Sequence, residues 1–156
     1  MMSDYTAGAQ VQASNRDLDQ LIDQLGDERA DFEALRDALC GVGVRHFAQL
    51  AGATQRALDR CPHDHGVLLE LPWILRECAP SDPSLVQALG PFLHKGDAAT
   101  LCAVFDVLVE LGEPRFTSFI APYQADEREV VARGKPSGRT VGEAARSAME
   151  QLFFWR

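Results

Sequence analysis

The sequence predicts an all-α fold, a compact single-domain bundle of about eight or nine short-to-medium helices. Apolar residues recur at helical spacing along most of the chain, and residues that start or stop helices separate these runs. Neither strict apolar–polar alternation nor an Asn-Gly turn indicates a β-hairpin. The 156 residues, 46% of them hydrophobic, suffice for one core. We expect a flexible arm at residues 1–13 and one helical domain over residues 14–156.

The first third of the chain predicts four helices. The first begins after an N-cap at Ser14 and ends at Gly26. The second is expected to stop at the glycine pair Gly41 and Gly43, and two short helices separated at Gly52 follow. The apolar positions of these four helices are Leu18, Leu21, Ile22, Leu25, Phe32, Leu35, Ala38, Leu39, Phe47, Leu50, Ala57 and Leu58.

Residues Val67 to Cys78 form a segment that is apolar on nearly all sides, so we expect it at the centre of the core. Pro72 disfavours a helical conformation at the residue before it. Two interpretations remain open: a helix kinked at Pro72, or a short extended piece followed by a helix with Pro72 in its first turn.

Stronger start and stop signals follow. One helix is expected to start at residues 81–83 (Ser-Asp-Pro) and the next at residues 96–97 (Gly-Asp). Gly112 and Pro114 should end the second of these helices.

The C-terminal part predicts a charged helix over residues 124–133, a loop over 134–138 and a last helix. Thr140 and Glu143 match a capping box at the start of that helix. Its apolar face is expected to contain Val141, Ala144, Ala145, Ala148, Met149, Leu152 and Phe153.

Composition limits the classes of function and location. The protein has a formal net charge of −8, so nucleic acids and anionic membranes repel it at long range. Neither is therefore an expected partner. No apolar run approaches the ~20 residues of a membrane span, and the first residues do not match a signal peptide. The four cysteines show no disulfide framework. We therefore expect a protein of a reducing, cytoplasmic compartment.

Cys61, His63 and His65 form a candidate metal cluster, because thiolate and imidazole are ligands that zinc prefers. No second pair with the spacing of a structural zinc site is present in the sequence. The alternative is a turn between helices in which Asp64 caps the next helix. Cys61 and a histidine also match a nucleophile and base in composition, but not in spacing. Zinc is thus the one cofactor that these residue types suggest, and we expect the protein to have no cofactor.

The segment Gly41-Val42-Gly43 lies between two predicted helices and is followed by Arg45. It resembles a helix-hairpin-helix motif. The resemblance implies that Gly41, Gly43 and Arg45 contact a DNA phosphate through backbone N–H groups and a positive charge. The surroundings are acidic, and Val44 stands where DNA-binding members usually carry lysine. The alternative is a structural corner between two helices.

Arg133, Lys135 and Arg139 converge before the helix that Thr140 caps. Positive side chains near a helix N-terminus favour an anion. The alternative is a solvated loop without a ligand.

No catalytic set stands out, so we predict a non-enzymatic protein–protein interaction module of the accessory, adaptor or immunity type. Phe154 and Trp155 are expected to lie at a partner interface, because exposed aromatic side chains anchor interfaces. An acidic face formed by Asp19, Asp23 and Asp27 is the second expected contact. The sequence identifies neither the partner nor the oligomeric state.

Overall fold

A computed structural model describes residues 15–27, 29–61, 66–132 and 134–154, apart from the side chains of Ala132 and Phe154. Within these residues the predicted all-α fold is confirmed, with eight α-helices and one two-stranded sheet. The predicted arm and the predicted N-cap at Ser14 lie outside them. The helices are α1 (residues 15–24), α2 (Phe32–Arg45), α3 (Phe47–Arg60), α4 (Val67–Cys78), α5 (Asp82–Lys95), α6 (Ala98–Leu111), α7 (Thr117–Ile120) and α8 (Val141–Phe154).

The core is built around α4 and α6. Helix α4 packs against α2, α3, α5 and α6, while α6 also packs against α8. Seven of the twelve α4 residues are buried, which confirms the central position predicted for this segment. Helix α4 is continuous from Val67 to Cys78 and contains Pro72, so the alternative with an extended first piece is wrong.

The prediction that helix α2 stops at Gly41 and Gly43 is wrong, because α2 continues to Arg45. Gly43 is buried, and an added Cβ atom there would lie 2.5 Å from Cys78 Sγ and 2.6 Å from Leu50 Cδ2. The glycine therefore serves close packing of α2 against α3 and α4 instead of a turn.

The two short helices predicted after residue 46 are one helix, α3. Gly52 lies within it. Thr54 is buried inside this helix, and its hydroxyl donates to the Ala51 carbonyl at 2.8 Å. This back-bond to the preceding turn satisfies the hydroxyl inside a continuous helix.

The predicted helix over residues 124–133 and the loop that follows are also wrong. Strands β1 (Glu129–Ala132) and β2 (Lys135–Thr140) form an antiparallel hairpin that packs on α6 through β1. Val130 is 9% exposed, and the Ser137 hydroxyl donates to its carbonyl at 2.8 Å. A register shift between Glu129 and Val131 interrupts the alternation that would reveal a strand in the sequence.

Several local signals are confirmed. The side chain of Ser81 caps α5, that of Asp97 caps α6, and Gly112 ends α6 with a φ of 73°. The Thr140 hydroxyl accepts a hydrogen bond from the Glu143 N–H at 3.2 Å at the start of α8.

Three predicted core positions are exposed instead. Ala38 is exposed and Phe32 is 36% exposed on α2, and Phe153 is 53% exposed on α8. The neighbouring Leu152, at 1% exposure, takes the inward position at the end of α8. Phe153 therefore does not belong to the buried face of that helix.

In the described part of the chain, no helix has both the length and the apolar character needed to cross a membrane.

Two 3₁₀ turns frame the short helix α7. Residues Pro114–Phe116 form the turn before it and Ala121–Tyr123 the turn after it. The connection between α6 and β1 is therefore a compact helical segment, which packs against α8.

Candidate functional site

The predicted acidic face is largely paired within the fold. Asp19 accepts hydrogen bonds from Arg56 Nε at 3.2 Å and Nη2 at 3.0 Å, and Asp23 accepts one from Arg60 Nη2 at 2.7 Å. These two ion pairs connect α1 to α3. Asp27 accepts from the backbone N–H of Arg29 at 2.9 Å. Asp19 and Asp23 thus serve the contact between α1 and α3.

The predicted aromatic interface cannot be placed. Trp155 and the side chain of Phe154 lie outside the described residues, so their role stays a prediction.

The predicted metal cluster is described only at Cys61. This residue follows α3, and its backbone N–H donates to the Ala57 carbonyl at 2.8 Å. Burial raises the pKa of the Cys61 thiol, which disfavours the thiolate that binds metal. His63 and His65 lie outside the described residues. Among the residues that are described, no group of three His, Cys, Asp or Glu side chains could hold a metal ion.

The helix-hairpin-helix interpretation is wrong in its geometry. Gly41 and Gly43 have helical neighbours on both sides, and Arg45 lies in the last turn of α2. The break between α2 and α3 falls instead at His46, with φ −139° and ψ 65°. The glycine turn whose N–H groups would hold a phosphate is therefore absent from α2.

The backbone N–H groups at the start of α8, which the predicted anion site would use, have partners within the fold. The N–H groups of Val141 and Gly142 donate to the carbonyls of Arg128 and Asp126 at 2.9 and 2.8 Å, and Thr140 takes the next one. These donors are therefore already engaged.

Two of the three basic residues of the predicted anion site lie on β2. Lys135 and Arg139 lie exposed on β2, and Arg133 is outside the described residues. Burial raises the pKa of Asp106 on α6, and the charge of Arg139 opposes this shift.

A different feature emerges between α5 and the segment around α7. An apolar groove of about 480 Å³, which we call the Phe119 groove, opens there. Phe116 is 2% exposed and forms its buried part, while Phe119 is 38% exposed. The groove is lined by Pro83, Val86, Gln87, Arg115, Phe116, Ser118 and Phe119.

The aromatic rings and one cation define the chemistry of the Phe119 groove. The ring centroids of Phe116 and Phe119 are 6.3 Å apart with an interplanar angle of 46°. The Arg115 guanidinium carbon lies 5.3 Å from the Phe116 centroid, within the range of a cation–π interaction. Arg115 Nε also pairs with Glu113 Oε2 at 2.5 Å.

Local hydrogen bonds hold this segment in position. The Thr117 hydroxyl donates to the Pro114 carbonyl at 2.9 Å, and the Ser118 hydroxyl donates to the Arg115 carbonyl at 3.0 Å. Ile120, at 0% exposure, anchors the end of α7 in the core. These contacts therefore hold α7 in place while the ring of Phe119 remains partly exposed.

A second groove has a volume of about 430 Å³. It lies between α3 and α5 and shares Gln87 with the Phe119 groove. Small side chains dominate its walls, notably Ala48, Ala51 and Ala88, with Gly52 beside them. Both grooves border α5, one on its side towards α3 and the other on its side towards α7.

The sequence interpretation missed this site. It contains a detectable signal, because Phe116 and Phe119 stand three residues apart between Pro114 and Pro122. Rings at that spacing share one side of a short helical turn and can pack together there.

Comparisons with known proteins assign no function to this arrangement. No protein-family model matches the chain, and neither a curated protein nor a solved structure matches it.

Proposed function

We propose that this protein is a non-enzymatic module that binds a protein partner, as an accessory, adaptor or immunity-type protein. The observation that carries the proposal is Phe119, a large aromatic side chain exposed at the edge of an apolar groove. Aromatic residues beside well-packed pockets dominate the binding energy of many interfaces. We place the partner on the Phe119 groove.

The chemistry of the groove favours binding over catalysis. Of its seven lining residues, Arg115 alone carries an ionisable side chain. General acid–base or nucleophilic catalysis needs at least a second group that exchanges a proton or attacks the substrate. The acidic, helical body with its cysteines outside any disulfide framework fits a cytoplasmic location, which forms part of the same proposal.

Native mass spectrometry of the protein purified from its own host without chelators tests the proposal. We expect a stoichiometric second polypeptide on the wild-type protein. Phe119→Ser should remove this polypeptide, because it deletes the apolar anchor. Phe32→Ser is the matched control, since Phe32 is 36% exposed on α2 and does not line the groove.

Two outcomes would contradict the proposal. Retention of the partner by Phe119→Ser with a native circular dichroism spectrum would exclude the Phe119 groove as the binding surface. A mass increment of one metal ion on an otherwise bare chain, lost with Cys61→Ser, would favour the metal-binding alternative at Cys61, His63 and His65.

A further inference from the structure

We infer that the outward side of helix α2 binds the same side of a second copy of this chain. The two helices run antiparallel about a two-fold axis at Gly41, and Asp37 of each copy pairs with Arg45 of the other. None of the residues involved lines the Phe119 groove, so the inference goes beyond the proposed function. The surface consists of six exposed residues, which we call the α2 face: Ala34, Asp37, Ala38, Gly41, Val44 and Arg45.

The α2 face is the side of the helix that the described fold leaves uncovered. Each residue of a helix is turned by about 100° from the one before it, which places all six residues within about 60° of Gly41. The opposite side contains the buried residues Leu35, Leu39 and Gly43. Helix α2 packs against α3 and α4. The α2 face is therefore accessible to a second molecule.

Two residues of the α2 face have no packing role among the described residues. A Cβ atom at Gly41 would meet no heavy atom within 4 Å, although glycine inside a helix is less stable than alanine. Val44 is 71% exposed, the largest value among the exposed large hydrophobic residues of the described chain. A second helix at close range accounts for both, because glycine lets two backbones approach and the approach covers Val44.

The charges of the α2 face are not satisfied within the described part of one chain. Asp37 and Arg45 lie four residues before and four residues after Gly41. They are therefore ~12 Å apart along the helix axis, too far to pair with each other. Neither takes part in any ion pair among the described residues. Each is thus available to a charge on another molecule.

The spacing of these charges selects a second copy and its direction. In an antiparallel pair about Gly41, Asp37 of one copy lies level with Arg45 of the other, which gives two ion pairs related by symmetry. The small Ala38 then lies level with the larger Val44. A parallel pair would bring like charges together, which is unfavourable. The α2 face is therefore complementary to itself in the antiparallel arrangement.

The test is sedimentation equilibrium of the purified chain at low salt, from about 1 µM to about 1 mM protein. One pair of helices forms a small interface, so association should be weak. The mean mass is expected to rise from one chain towards two across this range. Added salt should shift the rise to higher protein concentration, because salt screens the two exposed ion pairs.

Charge reversals test the antiparallel register. Asp37→Arg and Arg45→Asp, each alone, should weaken association about tenfold or more, because both ion pairs become like-charge contacts. An equimolar mixture of the two variants should associate again, since the contacts between unlike copies join opposite charges. Glu150→Arg, a matched reversal of an exposed residue on α8, should leave association unchanged. Circular dichroism checks that each variant is folded.

Three results would overturn the inference. They are a single chain at every concentration up to about 1 mM, association that neither charge reversal weakens, or a mixture of the two variants that associates no better than each variant alone. Association that is lost in Phe119→Ser and retained in Asp37→Arg would also overturn it, because the second copy would then lie on the Phe119 groove.

Discussion

Replacing Gly41 and Gly43 separately by alanine tests the course of α2, because the two substitutions should change stability in opposite directions. Both glycines lie inside the helix, where alanine is favoured over glycine by about 1 kcal/mol. A Cβ atom at Gly41 meets no heavy atom within 4 Å. Gly41→Ala should therefore raise the free energy of unfolding by about 1 kcal/mol.

Gly43→Ala should lower the free energy of unfolding. The added Cβ would lie 2.5 Å from Cys78 Sγ and 2.6 Å from Leu50 Cδ2, well inside the ~3.5–4 Å of an optimal carbon contact. Overpacking of this kind costs about 1–3 kcal/mol. Over most of that range the cost is larger than the gain in helix propensity. The expected net loss is up to about 2 kcal/mol.

Urea unfolding followed by circular dichroism measures both changes, with the slope m as a check that the transition stays two-state. The double variant Gly43→Ala/Cys78→Ala should lose less stability than the sum of the single changes, because removing Sγ relieves the closest contact.

Destabilisation by Gly41→Ala would refute the continuous helix and favour a glycine turn at this position. Equal stabilisation by both substitutions would refute the close packing of α2 against Cys78 and Leu50.

Two further predictions concern ion pairs. Asp19→Asn should reduce the free energy of unfolding by about 0.5–1 kcal/mol at low salt and by less at high salt, because it breaks an exposed pair with Arg56. Urea titrations at two salt concentrations measure this, and an unchanged stability at low salt would contradict the pairing. Hydrogen bonds from Arg128 hold the pKa of Asp126 below its ordinary value. The Asp126 carboxylate therefore contributes its full stabilisation above the unfolded-state pKa, and this contribution is lost as pH falls through the folded-state pKa. Asp126→Asn should therefore flatten the acidic limb of the stability–pH curve between these two pKa values, and an unchanged limb would argue against the pair.

Helix boundaries marked by local chemistry were predictable from the sequence. The caps at Ser81 and Asp97 and the end at Gly112 depend on residues within one turn of the boundary, so a short window contains the necessary information. The buried character of α4 was also predictable, because nearly every side of that segment is apolar.

The role of Gly43 was not predictable in the same way. A glycine that ends a helix and a glycine that admits a neighbouring helix look alike in a single sequence, and the atoms that distinguish them belong to Cys78 and Leu50. The hairpin was missed for a related reason, because its strands are short and its register shifts between Glu129 and Val131.

The pairing of the acidic face with α3 has a signal in the sequence. Asp19 and Asp23 are four residues apart on α1, and Arg56 and Arg60 have the same spacing on α3. When one helix carries two acidic residues and another carries two basic residues at the same spacing, two ion pairs can form side by side if the helices pack together. Their separation of 37 residues along the chain hides that relation from any local window.

The backbone hydrogen bonds at the base of the β-hairpin have a practical consequence for engineering. They join Val141 to Arg128 and Gly142 to Asp126 without any side chain, and a Cβ at Gly142 would lie 2.5 Å from the Gln124 carbonyl. The start of α8 is therefore positioned by main-chain atoms that precede the hairpin. An epitope or a fluorescent label inserted beside the exposed Gly134 would lengthen the tip of the hairpin and leave the register of α8 unchanged.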